Sequence, residues 1–127
     1  MRTDYNITIR ETMHELSAKE RVRLKMSISN AIKLDEVVQP DGTFVIDTID
    51  NYAVLDVHNE HSENTDYMVL LIVSGDTTYT TGSESFANAF IDVVSEMQSE
   101  SEDWGIECFK IPSRNYKNKF ILSCTVC

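Results

Sequence analysis

Runs rich in Val, Ile, Phe and Tyr occupy the middle of the chain and predict β-strands, because each run is bounded by Gly, Pro, Asn, Asp or Ser. We expect strands at residues 31–38, 43–57, 67–73 and 77–81. The turns between them fall at residues 39–42, 58–66 and 74–76. Sequential strands joined by short turns favour antiparallel pairing.

A helix is predicted after Ser83, because the apolar residues change there from alternation to a spacing of three and four. Ser83 itself is a favourable N-cap residue. The apolar face consists of Phe86, Ala89, Phe90, Val93, Val94 and Met97. Two further strands are expected at residues 105–111 and 120–126, with a loop at 112–119 between them.

The N-terminal segment contains a capping box, formed by Ser17 and Glu20, that predicts the start of a helix. After this cap, Arg21, Arg23 and Lys25 alternate with apolar residues. That alternation is a strand pattern as much as a helical one, so the end of the helix stays open.

The order of elements predicts a mainly β fold with some α structure (α+β). Strands, then a helix, then a closing hairpin match an OB-like five-stranded antiparallel barrel, whose helix lies between strands three and four. We assign this OB-like domain to residues 31–127 and treat residues 1–30 as an N-terminal helical extension. With 127 residues and 42% apolar composition, the chain is long enough for one hydrophobic core.

Charge is sorted along the sequence. Residues 34–109 contain 17 Asp and Glu but no Lys or Arg. Residues 1–33 carry a net +3 and residues 110–127 a net +4 without any acid, and the three regions together give the chain its −10. The acid-free basic run falls in the predicted loop of the last hairpin, so we expect that loop to face an anion. The overall acidity argues against nonspecific binding of duplex DNA through the whole surface, because that mode needs many basic contacts.

The predicted loop combines cations with an aromatic ring. Arg114, Lys117 and Lys119 surround Tyr116, and Lys110 precedes the loop on its strand. Cations neutralise phosphates and aromatic rings stack on unpaired bases, so this composition is typical of a single-strand binder. Basic residues are also ordinary in any exposed hairpin loop, and that interpretation stays open.

Two tyrosines on predicted strands, Tyr52 and Tyr79, are further candidates for base stacking. Tyr is favoured on any half-buried strand, so a packing role is the competing interpretation. The N-terminal cations Arg21, Arg23 and Lys25 would either extend a path for the nucleic-acid backbone or hold the N-terminal segment against the acidic middle. We favour the second role.

The sequence contains no recognisable catalytic constellation, and we expect a protein that is not an enzyme and needs no cofactor. One polar turn contains His58, Glu60 and His61 but no fourth metal ligand nearby in the sequence, so no metal site is predicted. A metal-dependent enzyme at these histidines is a third hypothesis. Cys124 and Cys127 have CxxC spacing, yet on a strand these side chains face opposite ways.

No apolar stretch reaches the roughly 20 residues of a membrane helix, and the N-terminus lacks a signal-peptide pattern. We therefore expect no membrane partner, a cytoplasmic location in a host cell and reduced cysteines. Edge strands of a partly open barrel would also allow a homodimer.

Three segments, residues 52–56, 80–86 and 111–121, resemble small single-stranded-DNA-binding proteins of protein-primed phages and related mobile elements. The likeness spans residues 43–126: a β-hairpin, a Ser-led helix containing Phe, and a last hairpin with Pro-Ser before a basic loop. The matching residues of that hairpin are Lys110, Ser113, Arg114, Lys117, Lys119 and Phe120. The resemblance implies a compact barrel-like domain that binds single strands with little sequence preference and protects them during replication.

The leading hypothesis is a protein that binds single-stranded DNA without sequence specificity during phage or mobile-element replication. Its phosphate-binding residues would be Lys110, Arg114, Lys117 and Lys119, and its stacking residues Tyr116, Tyr79 and Tyr52. The alternative is an acidic phage-type anti-defence or DNA-mimic protein that inhibits a host nucleic-acid-binding protein, because unopposed carboxylates can present a field like that of DNA. A periodic row of Asp and Glu on one exposed face would support the alternative.

Overall fold

The computed structural model describes residues 5–100, 103–114 and 119–127. Within these ranges the chain forms eight strands and three α-helices, with a short 3-10 turn after the first helix. The elements are β1 (Tyr5–Thr12), α1 (Ala18–Ser27), β2 (Ile32–Lys33), α2 (Leu34–Val37), β3 (Thr43–Ile46), β4 (Asn51–Asn59), β5 (Asp66–Ser74), β6 (Thr77–Thr81), α3 (Glu84–Met97), β7 (Ile106–Pro112) and β8 (Phe120–Val126).

The strands form two sheets. The larger sheet has the order β1-β4-β5-β6-β2 and is antiparallel except for the parallel pair of β6 and β2. The smaller sheet has the antiparallel order β3-β7-β8. The predicted mixed α+β class is confirmed. Across the described residues the two sheets do not close on each other, so the OB-like barrel is not confirmed.

The long strand predicted for residues 43–57 is wrong, because the chain changes sheet within it. β3 ends at Ile46 in the smaller sheet, and β4 begins at Asn51 in the larger one. Between them the side chain of Ile49 is buried and its backbone N–H donates to the carbonyl of Trp104 at 3.3 Å. This crossing segment is held by the core and by backbone hydrogen bonds to Trp104 and to Val73 of β5.

The main core lies between the inner face of the larger sheet, the smaller sheet and α3. The larger sheet contributes Tyr52, Val54, Leu70 and Ile72, and the smaller sheet contributes Ile46, Ile106, Cys108, Leu122 and Cys124. Phe86, Phe90 and Val94 of the predicted helix face are buried in this core, as is Ala87. The predicted cap is confirmed, because the Ser83 side chain accepts a hydrogen bond from the Phe86 N–H at 3.2 Å.

The outer face of the larger sheet has a second, smaller core that α1 covers. Its buried residues are Ala53, Leu55, Val57, Val69 and Leu71, and Tyr5, Ile7, Ile9, Leu24, Ile28 and Ala31 pack against them. The predicted capping box of Ser17 and Glu20 is confirmed. The covering layer therefore comes entirely from the N-terminal part of the chain.

Two predictions for the first 38 residues need correction. The N-terminal helical extension predicted for residues 1–30 is helical only in part, because residues 5–12 form β1 and pair with β4. The alternation of Tyr5, Ile7 and Ile9 is the signal that would have revealed this strand. The strand predicted at residues 31–38 is also too long, because only Ile32–Lys33 pair with β6 before α2 begins.

Candidate nucleic-acid interface

The end of the β7–β8 hairpin brings two of the predicted cations together. Strand pairing continues to Pro112 opposite Phe120, and the Ser113 N–H then donates to the carbonyl of Lys119 at 2.8 Å. The side chains of Arg114 and Lys119 are both exposed. The predicted loop residues Tyr116 and Lys117 lie outside the described residues.

Apolar side chains are exposed at the same end of the hairpin. Phe120 is 46% exposed, and the facing pair Ile111 and Ile121 are 46% and 40% exposed. An aromatic ring that is half accessible at the same end of a hairpin as two cations can stack on a base. The resemblance in the sequence included Phe120 but gave it no stacking role. A Phe on a strand usually packs in a core. Only the tertiary structure shows that Phe120 is exposed.

Lys110 has a different position from the loop cations. Its partner across the sheet is the buried Leu122, so both side chains lie on the inner face of the hairpin. The ammonium group donates a hydrogen bond to the backbone carbonyl of Asp35 at 2.9 Å. Lys110 therefore ties the hairpin to α2 in this structure.

Tyr52 is a core residue and is not available to a base. Its side chain is only 5% exposed, and its ring lies 5.3 Å from that of Phe90 in an edge-to-face contact. The hydroxyl donates to the carboxylate of Glu11 at 3.0 Å, which links β4 to β1. Burial, reinforced by this carboxylate, raises the pKa of Tyr52 to about 12.

Tyr79 is also engaged in packing. It lies half-buried on the inner face of β6, with its ring 5.7 Å from Phe44 in an edge-to-face contact across the two sheets. The competing interpretation, that a strand tyrosine is a packing residue, thus describes both Tyr52 and Tyr79. Neither belongs to the exposed end of the hairpin.

The N-terminal cations do not contact the acidic middle in the way we favoured. Within the part of the chain that the structure describes, Arg21, Arg23 and Lys25 form no ion pair, and Arg21 donates instead to the carbonyl of Leu16 at 2.7 Å. An ion pair with the middle region is formed instead by Arg10, which binds the carboxylate of Asp56.

The histidine turn is organised by hydrogen bonds. The two ring nitrogens of His58 lie 2.8 Å from a carboxylate oxygen of Asp66 and 3.5 Å from one of Glu60. The hydrogen bond to Asp66 and, to a smaller extent, the hydrogen bond to Glu60 raise the pKa of His58. Among the described residues, no three His, Cys, Asp or Glu side chains are grouped so that they could hold a metal ion.

The cysteines occupy two environments. Cys108 and Cys124 are buried and directly opposite each other on β7 and β8, whereas Cys127 is exposed. Cys124 and Cys127 thus have different surroundings, and Cys127 lies just beyond the end of β8. Burial raises the pKa of both Cys108 and Cys124 to about 12, so these thiols are protonated at neutral pH.

Acidic residues follow the exposed side of α3. Glu84, Asp92 and Glu96 are all exposed, and the helix contains no Lys or Arg. Asp92 and Glu96 are four residues apart and therefore neighbours on the helix surface. Of the row of Asp and Glu that would support the alternative hypothesis, α3 thus provides one pair of neighbouring exposed carboxylates.

No family model matches this chain, and no curated protein or solved structure matches it either. None of the helices in the described ranges is long and apolar enough to cross a membrane.

Proposed function

We propose that the protein binds single-stranded DNA without sequence specificity through the end of the β7–β8 hairpin. The observation that carries this proposal is that one end of the hairpin exposes both an aromatic ring, that of Phe120, and two cationic side chains, those of Lys119 and Arg114. Single-strand binders combine cations that follow the phosphates with aromatic rings that stack on bases. Both parts are present here on one short structural unit.

The roles of the individual residues follow from their positions. Arg114 and Lys119 bind phosphates, and Phe120 stacks on a base, an interaction worth about 1–3 kcal/mol per base. Lys110 positions the hairpin through its bond to Asp35. Tyr116 and Lys117 join this site as predictions from the sequence. DNA binding at this site needs no catalysis, no cofactor and no closed barrel. An OB-like binding face stays a prediction from the sequence. A role in phage or mobile-element replication stays a prediction as well.

Fluorescence anisotropy tests the proposal, with labelled oligo-dT and matching duplex DNA titrated at low and high salt. We expect saturable binding that prefers the single strand. Phe120→Ala should weaken it about 5- to 150-fold, the equivalent of one stacked base. Arg114→Ala with Lys119→Ala should reduce the slope of log affinity against log salt by about 1.4, because two phosphate contacts contribute about 0.7 each.

The matched control is Lys19→Ala with Arg23→Ala, which removes two exposed cations from α1 instead of the hairpin. This variant changes the net charge equally and should bind as the wild type does. Absence of binding at low salt, or equal weakening by the control, would contradict the proposal.

A second candidate function rests on the acidic side of α3. Exposed carboxylates without nearby cations on the helix would let the protein occupy the basic groove of a nucleic-acid-binding protein, as an anti-defence or DNA-mimic protein does. The test measures release of labelled duplex DNA from purified basic DNA-binding proteins. Asp92→Asn with Glu96→Gln should abolish the release, whereas the turn variant Asp41→Asn with Asp76→Asn should retain it. A wild type that releases no DNA rules this function out for the proteins tested.

A further inference from the structure

The inner face of the larger sheet changes from apolar to polar along each of its central strands. On β4, Tyr52 and Val54 are buried under α3 and the smaller sheet, while Asp56 and His58 continue the same face beyond that cover. On β5, the pattern repeats from Ile72 towards Asp66. The sheet therefore extends past the core as a polar surface.

Two adjoining cavities lie along this polar surface, next to the first turns of α3. Their volumes are about 370 and 460 Å³, and both are lined by Arg10, Met68 and Glu84. Because they share these residues, they form one groove between β1 and α3. Volumes of this size are within the range of ligand-binding clefts in proteins.

The strand that borders the groove is an edge strand. β1 pairs with β4 on one side and, among the described residues, with no strand on the other. Its exposed residues Asn6, Thr8 and Arg10 line the groove. A free edge offers backbone N–H and C=O groups to an incoming strand, and alternate side chains of that strand would then point into the groove.

The charged side chains that line the groove favour a positively charged partner. Arg10 is already neutralised by Asp56, with its Nε 3.0 Å from a carboxylate oxygen, and His58 is bound by Asp66. Glu11 and Glu84 form no ion pair within the described ranges. The groove therefore retains two carboxylates that a cation from outside can neutralise.

One part of the wall of the groove is apolar. Val54, Met68, Ala87 and Ile91 line the same cavity as Glu11 and Glu84. An aliphatic stem that ends in a positive charge fits such a surface, because the stem covers the apolar wall while the charge reaches the rim. Lys and Arg have this form.

We propose that the edge of β1 and this groove bind an extended basic segment of a partner protein, which pairs with β1 as an additional strand and places alternate Lys or Arg side chains against Glu11 and Glu84. Main-chain hydrogen bonds would provide affinity, and the groove would select the side chains. This surface is separate from the hairpin proposed to bind DNA.

Isothermal titration with synthetic peptides tests this inference. The probe is a peptide of alternating Lys and Val as long as β1, and its counterpart carries Glu in place of Lys. We expect saturable binding of the Lys peptide and no binding of the Glu peptide. Methylation of those backbone nitrogens of the Lys peptide that would pair with β1 should abolish binding. The bound peptide should also slow amide hydrogen exchange in Tyr5–Thr12 of the protein. Glu11→Gln with Glu84→Gln should weaken binding about tenfold, since two exposed carboxylates lose their attraction for the Lys side chains of the peptide.

The amide of Gln keeps an acceptor for the Tyr52 hydroxyl, so this variant tests charge rather than folding. Its control, Asp41→Asn with Asp76→Asn, removes the same charge from two exposed turns that do not line the groove and should bind normally. Phe120→Ala should also bind the peptide normally, which separates this surface from the DNA site. Failure of the Lys peptide to bind, equal binding of the Glu peptide, or a free protein that is already a dimer through β1 would overturn the proposal.

Discussion

The helices α1 and α3 begin with the same local signal and then behave differently. Each starts after a serine whose side chain accepts a hydrogen bond from a backbone N–H in the first turn. α3 buries Phe86, Ala87, Phe90 and Val94, whereas α1 buries no residue fully. A cap therefore determines where a helix begins, while the spacing of its apolar residues determines how much core it builds.

The side chains of α1 show how little a weak apolar face buries. Leu24 is half-buried against the larger sheet, but Val22 is 57% and Met26 70% exposed. A helix of ten residues is marginal without tertiary packing, so α1 depends on its capping box and a few contacts. α3 depends mainly on the core that it shares with both sheets.

The largest effect is expected for Phe90→Ala in α3. The fully buried ring contacts Tyr52 and Phe86, so its loss should reduce the free energy of unfolding by about 3–5 kcal/mol. Chemical denaturation followed by circular dichroism measures this change. A loss below about 1 kcal/mol would show that α3 does not anchor the core.

Leu24→Ala in α1 should cost less, about 1–2 kcal/mol, because the side chain is only partly removed from water. The same denaturation experiment compares it with Phe90→Ala. The control Val22→Ala lies on the exposed side of the helix and should stay within about 0.5 kcal/mol of the wild type. Equal losses for Leu24 and Phe90 would remove the distinction between the two helices.

The cap variants Ser83→Ala and Ser17→Ala should each cost about 1 kcal/mol, because each leaves a backbone N–H of the first turn without its acceptor. We expect the Ser83 change to lower global stability and the Ser17 change to appear as local opening of α1. Amide hydrogen exchange distinguishes the two. Ser95→Ala, on the exposed side of α3, should leave both measurements nearly unchanged.

Acid should weaken the cap of α1 but not that of α3. Hydrogen bonds from the backbone and side chain of Ser17 lower the pKa of Glu20. A carboxyl group with a lowered pKa in the folded state stabilises the fold above its unfolded pKa of about 4.3, and this contribution disappears as the pH falls through the lower folded value. α3 has Phe86 at the corresponding position and no carboxylate there.

Amide chemical shifts of Ser17 and Glu20, followed by NMR as the pH falls below about 5, measure the loss of this cap. Glu20→Gln keeps a side-chain acceptor but cannot titrate, so its shifts should stay constant over the same range. Identical pH dependence in Glu20→Gln would show that another group controls the start of α1.

Local patterns in the sequence determined several elements directly. The strand predicted at residues 77–81 matches β6, that at residues 120–126 matches β8, and both serine caps are where they were predicted. The position of the basic loop at the end of the last hairpin also follows from the sequence. Such features depend on neighbouring residues, which is why the pattern alone is sufficient to predict them.

Only the tertiary structure decided which surfaces these elements present. Alternation predicts a strand without saying which sheet it joins, so the division of residues 43–57 between two sheets was not foreseeable. For the same reason, the burial of Tyr52 and the exposure of Phe120 were not readable from the chain, although both are aromatic residues on strands. Burial depends on what packs above a residue, and that partner is distant in sequence: α3 covers Tyr52, while the end of the hairpin extends beyond the core.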